Sequence, residues 1–162
     1  MIIGKPRRIN NLILDNINKS KTIQDVTELL ESYRMLKTIS VKQYQSKITT
    51  SFSLEPKNFS NQNDSPVENH IVEKVLAEEV VKEVEFAIDS LDNKLLKDCL
   101  YYKYVHSSNY TDLYIYNYLK LSKSEYYRKL NNAKLEFAKM YKAGKLLTMK
   151  DNSCMIDVLK RW

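Results

Sequence analysis

The sequence predicts an all-α fold, and three features of its composition and patterning support this class. Gly occurs twice and Pro three times among 162 residues, too rarely for the many tight turns of an all-β domain. Residues that favour helices fill the long stretches in which apolar positions recur every three or four residues. No apolar run is longer than a few residues, so we expect a cytosolic protein without a membrane-spanning helix.

Charge is distributed unevenly along the chain, whose net charge is +6. Between Pro66 and Asp92 there are eight carboxylates and two lysines, a local net charge of −6. Between Tyr101 and Lys150 there are ten cations and three carboxylates, a local net charge of +7. This polarity is typical of a basic half that binds a polyanion and an acidic segment that avoids it. A solvated lysine-rich surface produces the same asymmetry, and charge alone does not decide between the two.

The N-terminal region, residues 1–40, contains one predicted helix. Apolar residues from Ile23 to Ile39 recur at helical spacing, which predicts a helix over these positions. Thr22 is the candidate N-cap, and Asp25 lies near the positive end of the helix dipole.

An irregular segment and then a long acidic helix follow. Residues 41–64 are rich in Ser, Thr, Asn and Gln without a sustained period, which indicates a linker or an irregular loop. Residues 65–92 open with Ser65 as a cap, Pro66 in the first turn and Glu68 completing a capping box. We expect the broad apolar face of this helix to pack within the protein or to bind a partner subunit. This face comprises Val67, Ile71, Val72, Val75, Leu76, Val80, Val84, Ile88 and Leu91.

Residues 93–145 predict three further helices. The first is "DNKLLKDCLYYKYV", which ends at "HSSN" because Ser and Asn favour turns. Thr111 then caps a short helix, a tight turn follows, and Ser122 and Glu125 form a capping box for a longer helix that begins at Lys123. The order is that of a helix-turn-helix. The inward stripe of the last helix comprises Tyr126, Leu130, Ala133 and Phe137.

The opposite face of this last helix carries the side chains that DNA-reading helices use. Arg binds guanine edges and phosphates, Asn binds adenine edges, Ser and Tyr bind phosphates, and Lys supplies positive charge. This face favours a DNA-binding helix-turn-helix over a plain helical hairpin with a basic surface. Its members are Lys123, Ser124, Tyr127, Arg128, Asn131, Asn132 and Lys134.

The stretch "TDLYIYNYLKLSKSEYYRKLNNAKLEF" resembles the promoter-reading C-terminal helix-turn-helix of bacterial sigma factors. Together with "LYYKYV" before it, it is more similar to the ArpU and RinA-like late transcriptional regulators of phages and prophages of Gram-positive bacteria. The resemblance covers about Leu95 to Tyr141. Lys120 departs from the sigma-like pattern, which often has Gly at this turn position. We therefore expect a left-handed backbone at Lys120.

The resemblance implies sequence-specific binding to promoter DNA and activation of late phage genes. It implies double-stranded DNA and RNA polymerase as partners, and a homodimer and a regulatory protein are further candidates. By position it assigns base reading to Ser124, Tyr127, Arg128 and Asn131. It assigns phosphate contacts to Lys120, Lys123, Lys129 and Lys134.

We find no catalytic or metal-binding pattern in the sequence. Cys99 and Cys154 lie far apart and outside any CxxC pair, and His70 and His106 stand alone, which argues against zinc and thiol-redox sites. Two glycines are too few for a phosphate-binding glycine loop. We expect no metal, no cofactor and no enzymatic activity.

Two other functions stay open. One is a small terminase-like subunit that marks phage DNA for packaging, a class that uses helix-turn-helix modules in ring-forming chains. The other is a regulator that binds a protein partner through the acidic helix of residues 65–92. At the chain ends, "KPRRINN" is a candidate phosphate-contacting arm. The tail of residues 146–162 contains "MIDVLKRW", which is spaced as a short amphipathic helix.

Overall fold

The structure, a computed structural model, describes residues 16–41 and 66–150, with side chains from residue 71 onward in the second range. These ranges contain helices and no β-strand, which confirms the all-α class. The helices are α1 (Lys19–Val41), α2 (Pro66–Asp89), α3 (Lys94–Leu100), α4 (Asp112–Tyr118) and α5 (Lys123–Met140). A π-helical turn (Tyr101–Val105) extends α3, and a 3-10 turn (Tyr141–Ala143) follows α5. None of the described helices is long and apolar enough to cross a membrane.

Several predictions lie outside the described residues. They concern the basic arm near the N-terminus, residues 42–64 of the irregular segment predicted at 41–64, the Ser65 cap and the amphipathic pattern in the tail. Val41, the first residue of that predicted segment, is instead the last residue of α1. The division of the chain into domains stays a prediction.

Helix α1 begins at Lys19, ahead of its predicted start, and Thr22 is not its cap. Asn18 is the cap, because its side-chain oxygen accepts the backbone N–H of Lys21 at 3.1 Å. Thr22 is fully buried, and its hydroxyl accepts the backbone N–H of Thr148 at 3.1 Å. The prediction was wrong because the first turn of α1 contains no apolar residue, so its start lies outside the periodic pattern.

Helix α2 begins at Pro66 as predicted, and its two halves have different surroundings. The C-terminal half buries Val84, Ala87 and Ile88 in the core. In the N-terminal half four apolar side chains are 53–57% exposed, at Ile71, Val72, Val75 and Leu76. The broad apolar face expected from the sequence is therefore covered only along the second half of the helix.

All five helices contribute to one hydrophobic core. Side chains from both ends of the described chain pack around α5 in this core. Helix α1 therefore shares one core with the predicted helix-turn-helix. Buried members are Val26, Leu30 and Tyr33 of α1, Cys99 and Leu100 of α3, Ile115 of α4, and Tyr126, Leu130 and Phe137 of α5.

Arg34 of α1 holds the loop that precedes α4. Its Nη2 donates to the carbonyl oxygens of Lys103 and His106 at 3.3 and 3.2 Å, and its Nη1 donates to the side chain of Asn109 at 2.6 Å. Carbonyls at a helix end have no partner within the helix, so a guanidinium from a neighbouring helix satisfies them. The first helix thus positions the start of the predicted helix-turn-helix.

A second polar link joins α1 to α2. The Tyr33 hydroxyl donates to the Glu85 carboxylate at 2.6 Å, and the Lys37 ammonium pairs with the same oxygen. Burial alone would raise the pKa of Glu85, but these two donors hold it below its usual value.

Candidate nucleic-acid interface

Helix α4 is the short first helix of the predicted helix-turn-helix. Thr111 caps it as expected, since its hydroxyl accepts the backbone N–H of Tyr114 at 3.3 Å. Ile115 is 1% exposed and anchors the helix to the core.

The turn between α4 and α5 closes through two backbone hydrogen bonds. The N–H of Leu121 donates to the carbonyl of Tyr116 at 2.9 Å, and the N–H of Lys120 donates to the carbonyl of Asn117 at 3.1 Å. These are the bonds of a Schellman motif, whose left-handed position is usually Gly. Lys120 occupies it with φ 55°, which confirms the predicted left-handed backbone.

Helix α5 begins where the sequence predicts. Ser122 caps it, and its hydroxyl accepts the backbone N–H of Glu125 at 3.3 Å. The predicted inward stripe is also confirmed, since each of its members is at most 5% exposed. These members are Tyr126, Leu130, Ala133 and Phe137.

Most of the predicted DNA-contacting side chains of α5 lie on its solvent face. The four predicted base readers are all exposed, and their i, i+3, i+4 and i+7 spacing puts them on one side of the helix: Ser124, Tyr127, Arg128 and Asn131. The predicted phosphate contacts Lys120 and Lys123 are also exposed, whereas Lys129 is half-buried. The Arg128 side chain is 69% exposed and meets Glu125 only at 3.9 Å, so its guanidinium is accessible to a ligand.

Lys134 differs from this expectation. It was expected on the phosphate-facing surface, but it is 7% exposed and its Nζ donates to the Thr27 hydroxyl of α1 at 2.9 Å. Its ammonium also lies 5.6 Å from the centre of the Tyr104 ring. Burial lowers the pKa of Lys134. The assignment of Lys134 as a phosphate contact is thus corrected, because α1 covers this side of α5.

The sequence predicts Asp112 only as a first-turn residue of α4. In the structure its carboxylate links α4 to the π-helical turn and to α5. Its Oδ1 accepts from the Lys103 ammonium at 2.7 Å and from the Tyr126 hydroxyl at 3.0 Å. Its Oδ2 accepts from the Tyr127 hydroxyl at 3.1 Å. Successive residues on a helix point about 100° apart, so a carboxylate bound to both tyrosines fixes the rotation of α5 relative to α4.

The ionisation of Asp112 follows from these contacts. Burial alone would raise its pKa, but the Lys103 ammonium and the two tyrosine hydroxyls together hold the pKa below its usual value. Burial and the same carboxylate raise the pKa of Tyr126. Asp112 is thus an anion at neutral pH and both phenols keep their protons.

Aromatic side chains also cluster on the side of α4 that faces away from α5. The rings of Tyr110 and Tyr114 stack at 4.4 Å, and those of Tyr102 and Tyr118 meet edge to face at 5.0 Å. The sequence shows the spacing of four between Tyr110, Tyr114 and Tyr118, but not the contribution of Tyr102 from the π-helical turn.

No group of three or more His, Cys, Asp or Glu side chains is placed to hold a metal ion within the described residues. Cys99 is fully buried, and burial raises its thiol pKa to about 11. This thiol is therefore a core side chain and not an accessible nucleophile.

Comparison with known proteins associates the chain with phages. The chain is 27% identical over 129 residues to protein Gp66 of Listeria phage A118, an alignment that covers 77% of this chain and 88% of that protein. No protein-family profile matches the chain, and no solved structure matches it. The similarity agrees with the phage origin implied by the sequence, while membership of the ArpU or RinA-like regulators stays a prediction.

Proposed function

We propose that this chain is a non-enzymatic, sequence-specific DNA-binding protein that activates transcription of late phage or prophage genes in the bacterial cytoplasm. The observation that carries the proposal is the division of α5 into two faces. One face is buried in the core, and the other presents exposed hydroxyl, phenol, guanidinium and amide groups to solvent. These are the groups that bind base edges and phosphates in DNA.

The dimensions of α5 support insertion into DNA. Its 18 residues give a length of about 27 Å, and the major groove is about 12 Å wide. Recognition helices contact bases mainly through their N-terminal turns, and Ser124, Tyr127 and Arg128 lie in the first two turns of α5. The cationic side chains of Lys120 and Lys123 flank the same end, where DNA phosphates would lie.

The proposal is tested by measuring binding to duplex DNA and by selecting preferred sequences from a random pool. We expect Arg128→Ala and Asn131→Ala each to relax base preference at a defined position, at a cost of about 1–3 kcal/mol. We expect Lys123→Ala to weaken binding to all duplexes and to reduce the slope of log affinity against log salt by about 0.9.

Lys134→Met is the matched control, because it removes a lysine of the same helix whose side chain is buried. We expect it to leave DNA affinity and the salt slope unchanged. The proposal fails if the unaltered chain binds no duplex at low salt, or if Arg128→Ala binds every duplex as the unaltered chain does.

A second candidate function is protein binding through α2. Its support is the exposed apolar group formed by Ile71, Val72, Val75 and Leu76. A second copy of the chain, RNA polymerase and a regulatory protein are the candidate partners. A mass measurement in solution distinguishes a second copy of the chain from the other two partners, since Leu76→Lys should convert a dimer that uses this face into a monomer. Large rings in the same measurement would favour the terminase-like alternative.

A further inference from the structure

We propose, on the basis of the DNA-binding function above, that Tyr127 determines specificity by accepting a hydrogen bond from the amino group of adenine or cytosine. Its only hydroxyl proton is already donated to Asp112, so the phenol oxygen offers acceptor lone pairs alone to DNA. A tyrosine that contacts a DNA phosphate would instead donate its hydroxyl proton.

The contact between the two side chains sets this polarity. The Tyr127 oxygen lies 3.1 Å from Oδ2 of Asp112, and an ionised carboxylate can only accept. A phenol has one O–H donor, so the proton of this hydrogen bond must come from Tyr127. Tyr127 is nevertheless 40% exposed and lies on the solvent face of α5, where a ligand can approach it.

The rest of the Asp112 environment keeps this arrangement in place. Oδ1 is held by the Lys103 ammonium at 2.7 Å and by the buried Tyr126 hydroxyl at 3.0 Å. Turning the carboxylate away from Tyr127 would break both of these bonds. The lowered pKa of Asp112 means that it has no proton to give back at neutral pH.

The chemistry of DNA then selects the ligand. Phosphate oxygens accept hydrogen bonds, so they cannot pair with an oxygen that has no free proton. In the major groove the donors are the N6 amino group of adenine and the N4 amino group of cytosine, whereas guanine and thymine present acceptors. At the position that Tyr127 faces, adenine or cytosine should therefore be preferred over guanine or thymine on the contacted strand.

The test compares sequences selected from a random duplex pool by the unaltered chain, Tyr127→Phe and Tyr126→Phe. Both variants remove a hydroxyl bonded to Asp112, but Tyr126 is buried and cannot reach DNA. We expect Tyr127→Phe to lose preference at one position, by about fivefold, the equivalent of one hydrogen bond. We expect Tyr126→Phe to keep the base preference at that position, even if overall affinity falls, because the Lys103 ammonium still holds Asp112.

A second measurement uses the unaltered protein and modified DNA. Replacing the preferred adenine by purine, or the preferred cytosine by 2-pyrimidinone, deletes the amino group and should weaken binding about fivefold. Tyr127→Phe should bind the modified and unmodified duplexes equally.

The inference is overturned if Tyr127→Phe selects an unchanged sequence, or if the position that depends on Tyr127 prefers guanine or thymine. A uniform loss of affinity across all duplexes would also overturn it, because that result indicates a structural role for the hydroxyl. Failure of the unaltered chain to bind any duplex is a different outcome, since it removes the proposed function and this inference together.

Discussion

Replacing Lys120 by Gly should stabilise the protein and weaken the proposed binding to DNA. Lys120 holds the left-handed position of the Schellman turn, with φ 55°. Its backbone N–H donates to the carbonyl of Asn117, while its side chain is exposed. The substitution thus relieves the backbone without removing a packed side chain.

The size of the stability change follows from two opposing terms. A non-glycine residue in the left-handed region costs about 1–2 kcal/mol, which Gly does not incur. Gly also gives the unfolded chain more conformational freedom, which disfavours folding by about 0.4–1 kcal/mol. The net gain in the free energy of unfolding is about 0.5–1 kcal/mol, or about 1–4 °C in melting temperature for a chain of this length.

Lys123→Gly is the matched control, since it removes an exposed lysine at the first position of α5, where the backbone is helical. It should lower the free energy of unfolding by about 0.5 kcal/mol, because Gly disfavours helix. Both variants lose one candidate phosphate contact, so each should reduce the salt slope of DNA binding by about 0.9.

Urea and thermal unfolding measure the first effect, and salt titrations of duplex binding measure the second. If Lys120→Gly destabilises the chain as Lys123→Gly does, the left-handed strain argument is refuted. If only Lys123→Gly changes the salt slope, Lys120 does not contact phosphate.

Three further substitutions test the surroundings of α5. Lys134→Met should leave the free energy of unfolding unchanged or higher, as measured by urea denaturation, because the buried cation is replaced by an apolar side chain of similar volume. Asp112→Asn should lower this free energy at pH 7 by about 1–3 kcal/mol, because one carboxylate accepts three hydrogen bonds. The folded pKa of Asp112 is lowered, so its stabilisation is complete above the unfolded pKa of about 3.9 and is lost as pH falls through the folded pKa. Denaturation in strong acid should therefore show no difference between Asp112→Asn and the unaltered chain. Ala143→Gly should raise the melting temperature by about 1–2 °C, since Ala143 is exposed with φ 55°.

The local features of the predicted helix-turn-helix could be read from the sequence because they depend on short-range chemistry. The caps at Thr111 and Ser122 follow from side chains that satisfy the first N–H groups of a helix. The inward stripe of α5 follows from helical period alone, while the left-handed Lys120 is expected because the sigma-like pattern that the sequence resembles often has Gly at this turn position. Each signal lies within a few residues of the feature that it predicts.

Contacts between distant segments could not be predicted in this way. The burial of Lys134 depends on Thr27, which is far away in the sequence but lies beside it across the α1–α5 contact. The burial of Thr22 likewise depends on a distant residue, because its hydroxyl accepts from Thr148 at the other end of the described chain. A helical wheel shows which side chains share a face, but it does not show which neighbouring helix covers that face.

These long-range contacts change the view of how the candidate DNA-facing surface is held. Asp112 fixes the rotation of α5 against α4, and the apolar side chains of α1 pack with those of α5 in one core. Arg34 of α1 holds the loop before α4 through the carbonyls of the preceding π-helical turn. A surface that discriminates base edges must be held to within a fraction of an ångström, because hydrogen bonds weaken steeply with distance and angle. The N-terminal helix is therefore part of the support for the candidate reading surface, because its contacts restrain both helices of the predicted helix-turn-helix.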